Sequence, residues 1–492
     1  MVQEEDITAM WSQLEPTPPH ITYLTLSVFL IVYALFSQLI KNKLHLSEPP
    51  LAVLWGILLG PYALNIIAPY QWGLNDRIMQ EITRVIVGIQ CFTVGIELPK
   101  FYFARHWKSI LFLLGPIMVI SWTITALFAS LIFQIGIPAS LIIGACLAPT
   151  DPLLAASVLS KSRFSEQVPR RLRHLLFAES ACNDGVSFPF LYIGLISLNF
   201  FKVGEGFKQW LLITVLWQCC LGLLMGLVIG QCANKLLRYS NGRRYISQPS
   251  FLVFYLLLAV LSIGIGSTLG SNDFLIAFGA GVGFAHDGWF SMKTKSVPLP
   301  TIVEITLNCS MFVLFGTLIP WKSFLPGEVT PTCSIWRLFL FLSLVLVFRR
   351  IPIMYALQRI IPDIRTPHEA LFCGHFGPMG VSALFLAIEA RAQLETGTSI
   401  PLPKPENPVP PYNDKVIVLN LVWPVICFVV LGSTMVHGLS VLALSLGSHL
   451  SRPSGERASL IGAETDARGT MGHEGDEGES EPEVSGTEEI IE

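Results

Sequence analysis

The chain has 492 residues, 52% of them hydrophobic and only 14% charged. Soluble domains carry about 25% charged residues, so this composition excludes an ordinary soluble protein and points to one that lives in lipid. The formal net charge of −3 says little about partners, because most of the acidic excess gathers in the C-terminal tail.

Residues 1–20 are acidic and contain proline, with no basic start, which predicts a short extracellular N-terminus in place of a cleaved signal. A bilayer core needs about 20 apolar residues per helix, and about thirteen runs approach that length. In order they are 21–40, 50–68, 80–97, 109–134, 138–160, 172–200, 208–236, 249–270, 272–285, 299–319, 335–358, 367–390 and 414–446. The run 272–285 is short, and joining it to its neighbour would give twelve. The reading is an all-α polytopic membrane protein with a transmembrane domain over 21–446. Residues 451–492, rich in Gly, Glu and Ser, cannot bury enough apolar area to fold and are expected to form a disordered acidic cytoplasmic tail.

Basic residues give the orientation. With the N-terminus outside, the inner connections hold Lys41 and Lys43, then Lys100, Arg105 and Lys108, then the cluster from Lys161 to Arg173, then Lys235, Arg238, Arg243 and Arg244, then Lys293 and Lys295, then Arg359 and Arg365. The outer connections hold far fewer, so the positive-inside rule predicts an external N-terminus, an internal C-terminus and an odd number of spans. The cysteines show no CxxC pair and no metal-ligand spacing, and read as reduced, small apolar side chains. There is no phosphate loop to drive transport by ATP, and His368-Glu369 continues as Ala-Leu-Phe, so no HExxH site exists. Neither an enzyme nor a resident cofactor is expected.

Two runs look broken. One contains Ala148-Pro-Thr-Asp-Pro152 and the other Gly374-His-Phe-Gly-Pro-Met-Gly380; proline removes a backbone donor and clashes with the preceding turn. The runs stand an odd number of spans apart, which would set them in opposite orientations, as in inverted repeats whose paired discontinuous helices build transport sites.

The run 172–200 carries two acids, Glu179 and Asp184. A carboxylate in a membrane helix costs about 2.5–3.5 kcal/mol on insertion scales, so each is expected to face a cavity or a partner. Ser180, Asn183 and Asp184 fall at i, i+3 and i+4, on one helix face. Together with Thr150, Asp151 and freed carbonyls of the first break, they supply oxygen ligands for a small hard cation. Asp184 can bind a proton as well, so cation and proton would compete for one group. Asp151 has a plainer reading as the cap of its own second half-helix.

Glu179, on another face, is expected to pair with Arg350 or Arg349, the paired cations inside run 335–358; the alternative is that both arginines snorkel to the interface. Glu97 reads as interfacial. Asp273, Glu304 and Asn308 receive no role, His375 and His286 read first as structural hydrogen-bonders, and Asn308-Cys-Ser310 lies too deep in an apolar run to be glycosylated.

Thr150-Asp151-Pro152, Glu179-Ser-x-x-Asn183-Asp184 and the helix-embedded arginine resemble the monovalent cation/proton antiporters, in the branch with Asn-Asp where another has Asp-Asp. Gly95-Ile-Glu-Leu-Pro-Lys100, Arg105-His-Trp-Lys-Ser109 and His375-Phe-Gly-Pro-Met-Gly-Val381 are similar to the fungal plasma-membrane Na+(K+)/H+ antiporters. The resemblance implies a 13-helix fold with inverted repeats and two crossed discontinuous helices, working as a homodimer. By motif it implies that Asp184 binds Na+ (or Li+ or K+) and H+, that Thr150, Asp151 and Ser180 add ligands, that Asn183 supports the site, and that Glu179 and Arg350 form the core ion pair. The function implied is secondary exchange of Na+ for H+ in cation and pH homeostasis and salt tolerance. A passive cation channel and a transporter-like ion sensor are the alternatives. The tail after Ser451 is shorter than that family's regulatory tails.

Overall fold

In the computed structural model the described residues are 17–44, 46–152, 168–198, 203–294, 299–403, 408, 410 and 412–450. The two terminal segments and the second half of run 138–160 lie largely outside them. Among the described residues the chain is helical, with no strand. The helices used below are α1 (Pro18–Gln38), α2 (Glu48–Leu59), α3 (Asp76–Glu97), α4 (Tyr102–Phe133), α5 (Ile137–Cys146), α6 (Arg170–Leu198), α7 (Gly204–Gly242) and α8 (Gln248–Leu269). They are followed by α9 (Asp273–Ala285), α10 (Trp289–Thr294), α11 (Leu299–Leu318), α12 (Ile335–Phe348), α13 (Ile351–Leu357), α14 (Pro367–His375), α15 (Val381–Thr396) and α16 (Asp414–Leu450).

Their starts follow local chemistry. Asn75 caps α3 by accepting from the Ile78 N–H, and Asn272 caps α9 by accepting from the Leu275 N–H, both at 3.0 Å. At α14, Thr366 accepts from the Glu369 N–H (3.2 Å) while Glu369 reaches back to the Arg365 N–H (2.7 Å), with Pro367 in the first turn. Such caps satisfy amides that a helix start leaves without partners.

Each of the thirteen apolar runs contains a helix. By themselves, α1, α4, α6, α7, α8, α12 with α13, and α16 are long and apolar enough to cross a bilayer, which makes seven among the described residues. The count of thirteen is an expectation that helix length does not establish. Run 272–285 is a helix of its own, α9, separated from α8 by Gly270 in a left-handed conformation (φ +62°). Thirteen residues make about 20 Å of helix, short of a bilayer core of about 30 Å. That length is tolerated because nearly every α9 side chain is buried against α3, α6, α7 and α8. A methyl group at Gly226 or Gly230 of α7 would strike the carbonyls of Ile276 and Ala280, and one at Gly281 would strike that of Phe92 on α3. Small residues thus let three backbones touch, which is how helices associate where lipid offers no hydrophobic drive.

Both expected breaks are present. After α5 the chain is non-helical from 147 to 151 and turns helical again at Pro152; after α14 it is non-helical from 376 to 380, and α15 begins at Val381. A third break was not expected. The run 335–358 is interrupted at Arg349 and Arg350, with Arg350 at φ −129°, ψ −41°, and Pro352 in the turn that follows is its physical cause. All ten cysteines are free, seven of them buried.

Candidate functional site

The two unwound segments cross. The Asp151 N–H donates to the Pro378 carbonyl at 2.7 Å, and the Val381 N–H donates to Asp151 Oδ2 at 3.1 Å. Asp151 therefore caps α15, the second half of the other broken helix. The plainer alternative from sequence, that Asp151 caps its own second half-helix, falls on residues 153–167, which lie outside the described residues. A Cβ at Gly380 would collide with the Asp151 carboxylate, so only glycine lets the crossing close this tightly.

Breaking a helix frees carbonyls as well as amides, and in a membrane these must be satisfied by protein. Arg349 does this for both breaks at once: its guanidinium donates to the Leu147 carbonyl and, at 2.7 Å, to the Gly377 carbonyl. Neither arginine snorkels, for Arg349 is 4% exposed and Arg350 6%. Arg350 makes a bidentate pair with Glu179, at 2.7 and 2.6 Å, and donates through Nε to the Cys373 carbonyl at 3.0 Å. The ion pair ties α6 to the third break.

On α6, Ser180 and Asn183 both meet Thr150. The hydroxyls of Thr150 and Ser180 are 2.8 Å apart, Asn183 Nδ2 donates to Thr150 Oγ1 at 2.8 Å, and the Thr150 N–H donates to Asn183 Oδ1 at 3.1 Å. This triangle fixes the first break against α6. Asp184 sits beside it, fully buried. Its Oδ2 accepts from the Cys91 thiol of α3 at 3.5 Å; its Oδ1 has no hydrogen-bond partner among the described residues. Ser382, in the first turn of α15, lies against Asp184, and its buried hydroxyl likewise lacks a well-formed hydrogen bond.

One further contact follows from a proline. Pro189 inside α6 cannot bond the carbonyl four residues earlier, that of Gly185, and the Asn272 amide at the start of α9 donates to it at 3.0 Å. The α9 cap is thereby fastened to the residue after Asp184.

The structure thus gathers Thr150, Asp151, Ser180, Asn183 and Asp184 at the crossing, and Glu179 and Arg350 beside it. Sequence reading missed Cys91, Ser382 and the double role of Arg349. Ser382 had a positional signal, since it follows directly on the second break; a thiol such as Cys91 reads as apolar from sequence. Of the residues given no role, Asp273 pairs with Arg84 at 2.6 Å, and Asn308 is buried in α11. The Glu304 side chain lies outside the description. Glu97 is exposed at the end of α3. His286 bonds the Gly283 carbonyl within its own turn, and His375 meets Ser440 at 3.0 Å.

The family model for the transmembrane sodium/hydrogen exchanger matches residues 27–446. The chain belongs to that family. It is 41% identical over 448 residues to Na(+)/H(+) antiporter 2 of Zygosaccharomyces rouxii, covering 90% of this chain and 54% of that protein. It is also 41% identical over 446 residues to the Na(+)/H(+) antiporter of Saccharomyces cerevisiae, covering 90% of this chain and 45% of that one. The chain spans about half the length of these two yeast relatives. In fold it is similar to the sodium proton antiporter MjNhaP1 of Methanocaldococcus jannaschii, solved at pH 8, with a TM-score of 0.59 at 15% identity over 86% of this chain and 98% of the other. This exchanger-family chain therefore carries that all-helical antiporter fold.

Proposed function

We propose that this chain exchanges Na+ for H+ by alternating access, with Asp184 as the group that holds either ion. The observation that carries the reading is a fully buried carboxylate at the crossing of two broken helices, whose Oδ1 has no hydrogen-bond partner among the described residues. A bare charge there is costly, so the site favours states in which Na+ or a proton neutralises it, and only those cross a dry barrier readily. Thr150, Ser180 and Asp151 add oxygen near the cation, and Asn183 holds Thr150 in place. Glu179 and Arg350 keep α6 fixed to the rest of the core. The two yeast relatives are named as Na+/H+ antiporters, which supports the choice of ions. Li+ and K+ are further cargoes of the same site.

The exchanger is further proposed to lie in the plasma membrane as a homodimer, with its N-terminus outside and C-terminus inside. The basic inner connections support the orientation. The apolar outer face of α1, with Leu24, Ile31, Leu35 and Phe36 exposed, is available to lipid or to a second copy.

The test is purified protein in liposomes holding a pH dye under an imposed proton gradient, with Na+, Li+, K+ and choline added in turn. Cation-dependent proton movement is expected with Na+ and absent with choline. Because one carboxylate serves both ions, lowering the pH on the cation side should raise the apparent KM for Na+ by about tenfold per pH unit once Asp184 is mostly protonated, as linkage between competing ligands requires. An apparent KM that stays flat with pH while exchange continues would place the proton on another group.

A further inference from the structure

On one side of Asp184, side chains of α3 and α15 meet in a ladder. Asp76, Gln80 and Arg84 stand four residues apart, on one face of α3. Each meets a residue of α15: Asp76 pairs with Arg391 at 2.5 Å, Gln80 Nε2 donates to Glu389 Oε2 at 2.8 Å, and the Arg84 guanidinium lies 5.4 Å from the Phe385 ring centre. From Cys91, which touches Asp184, these α3 residues lie about 10 to 22 Å along the helix at 1.5 Å per residue. Phe385, Glu389 and Arg391 likewise run away from Ser382, which also lies against Asp184. The ladder therefore lies to one side of the site. In the orientation proposed above, that side is the outside.

The middle rung is dry: Gln80 and Glu389 are each 1% exposed. Glu389 Oε1 accepts from Gln393 (3.0 Å) and from the Ser399 hydroxyl (2.7 Å), so an acid that would be costly to bury alone is held by neutral donors on both oxygens. Asp76 and Arg391 form the outermost rung, nearest water, and Arg391 also meets Glu395 at 3.6 Å. On the other side of Asp184 the arrangement differs. A cavity of about 240 Å³ lies beyond Gly95 at the inner end of α3, among Lys100, Tyr102, Gln231 and His286.

We propose that the α3–α15 ladder is the outer latch of the exchanger, which must part for the outer solution to reach Asp184. The proposal rests on the exchange reading for its purpose, and its test does not use transport. Cys91 is a native reporter beside Asp184. In a chain with the exposed Cys220 and Cys232 replaced by serine, a membrane-impermeant thiol reagent is added from the outer face, and labelling of Cys91 and of the buried Cys309 of α11, away from the ladder, is read by peptide mass spectrometry. Wild type should label slowly at both. Arg391→Gln with Glu389→Gln should label at least tenfold faster at Cys91 and not at Cys309; Arg391→Lys should rise less. Unchanged Cys91 labelling in both variants overturns the latch. A rise shared equally by Cys309 reports unfolding, and the swapped pair Asp76→Arg with Arg391→Asp then decides: restored protection supports the latch, and lost protection overturns it. Wild-type protein that moves no protons yet labels as expected would sink the exchange reading and leave the latch standing.

Discussion

Two buried carboxylates on one helix, five residues apart, meet opposite fates. Glu179 has a guanidinium on both oxygens, at 2.7 and 2.6 Å, from an arginine that also holds a backbone carbonyl. Asp184 has a thiol at 3.5 Å on one oxygen and, among the described residues, no hydrogen-bond partner on the other. Both would be expensive as bare charges. The first is neutralised by the arginine beside it. On the exchange reading proposed above, the second is neutralised in turn by Na+ and by a proton, so that a fixed partner makes one carboxylate part of the scaffold and the lack of one makes the other exchangeable.

The largest expected effect breaks the comparison outright. Asp184→Asn keeps the size and removes the charge, so Na+-dependent proton movement should fall to the choline background in the liposome assay while the protein still purifies as a folded species. Robust exchange in that variant would sink the assignment. Arg350→Ala should act on the other carboxylate. Removing one member of a buried pair strands the second, at about 3–5 kcal/mol, which should appear as a large drop in melting temperature in detergent and poor yield. Replacing the pair together, Glu179→Gln with Arg350→Met, should recover a good part of that stability. A double variant as unstable as Arg350→Ala would mean that the bond from Arg350 to the Cys373 carbonyl matters more than the pair.

Much of this contrast was legible in the sequence, for definite reasons. Pro149 and Pro152 stand three residues apart and Pro378 lies among Gly374, Gly377 and Gly380, clusters that break a helix where the lone Pro189 inside α6 does not, so both breaks could be placed to within a few residues. Ser180, Asn183 and Asp184 share a face by helical geometry alone. What the sequence could not give was which broken end meets which. Asp151 caps α15 across the crossing, a partnership between residues 230 positions apart that no local pattern encodes. The third break was hidden because Arg349 and Arg350 read as a charged pair inside a span, although Pro352 stood two residues on. Arg349 was the subtler miss. A cation next to a cation suggests repulsion or escape to water, whereas here one arginine answers an acid and the other answers two freed carbonyls.

A smaller effect tests the support beneath Asp184. Thr150 takes part in hydrogen bonds with both Ser180 and Asn183 through one hydroxyl. Thr150→Val fills the same space and leaves a buried hydroxyl and amide unsatisfied, at about 1–3 kcal/mol. If the triangle positions the site, the loss should appear as a raised KM for Na+ together with a lowered melting temperature. A lowered melting temperature with unchanged KM would restrict the triangle to holding the break.

The smallest effect concerns the Cys91 thiol beside Asp184. A thiol is a weak donor, and this one also reaches the Ala181 carbonyl at 3.7 Å, so Cys91→Ala should change the KM for Na+ by less than about fivefold, the equivalent of about 1 kcal/mol. Cys91→Ser is the sharper comparison. An oxygen donor is stronger and shorter, and would move Asp184 a step toward the condition of Glu179 by giving its carboxylate a fixed neighbour. Exchange should then be slower in Cys91→Ser than in Cys91→Ala. The reverse order would mean that the hydroxyl joins the cation's ligands, so that Asp184 gains from company on α3 instead of depending on its absence.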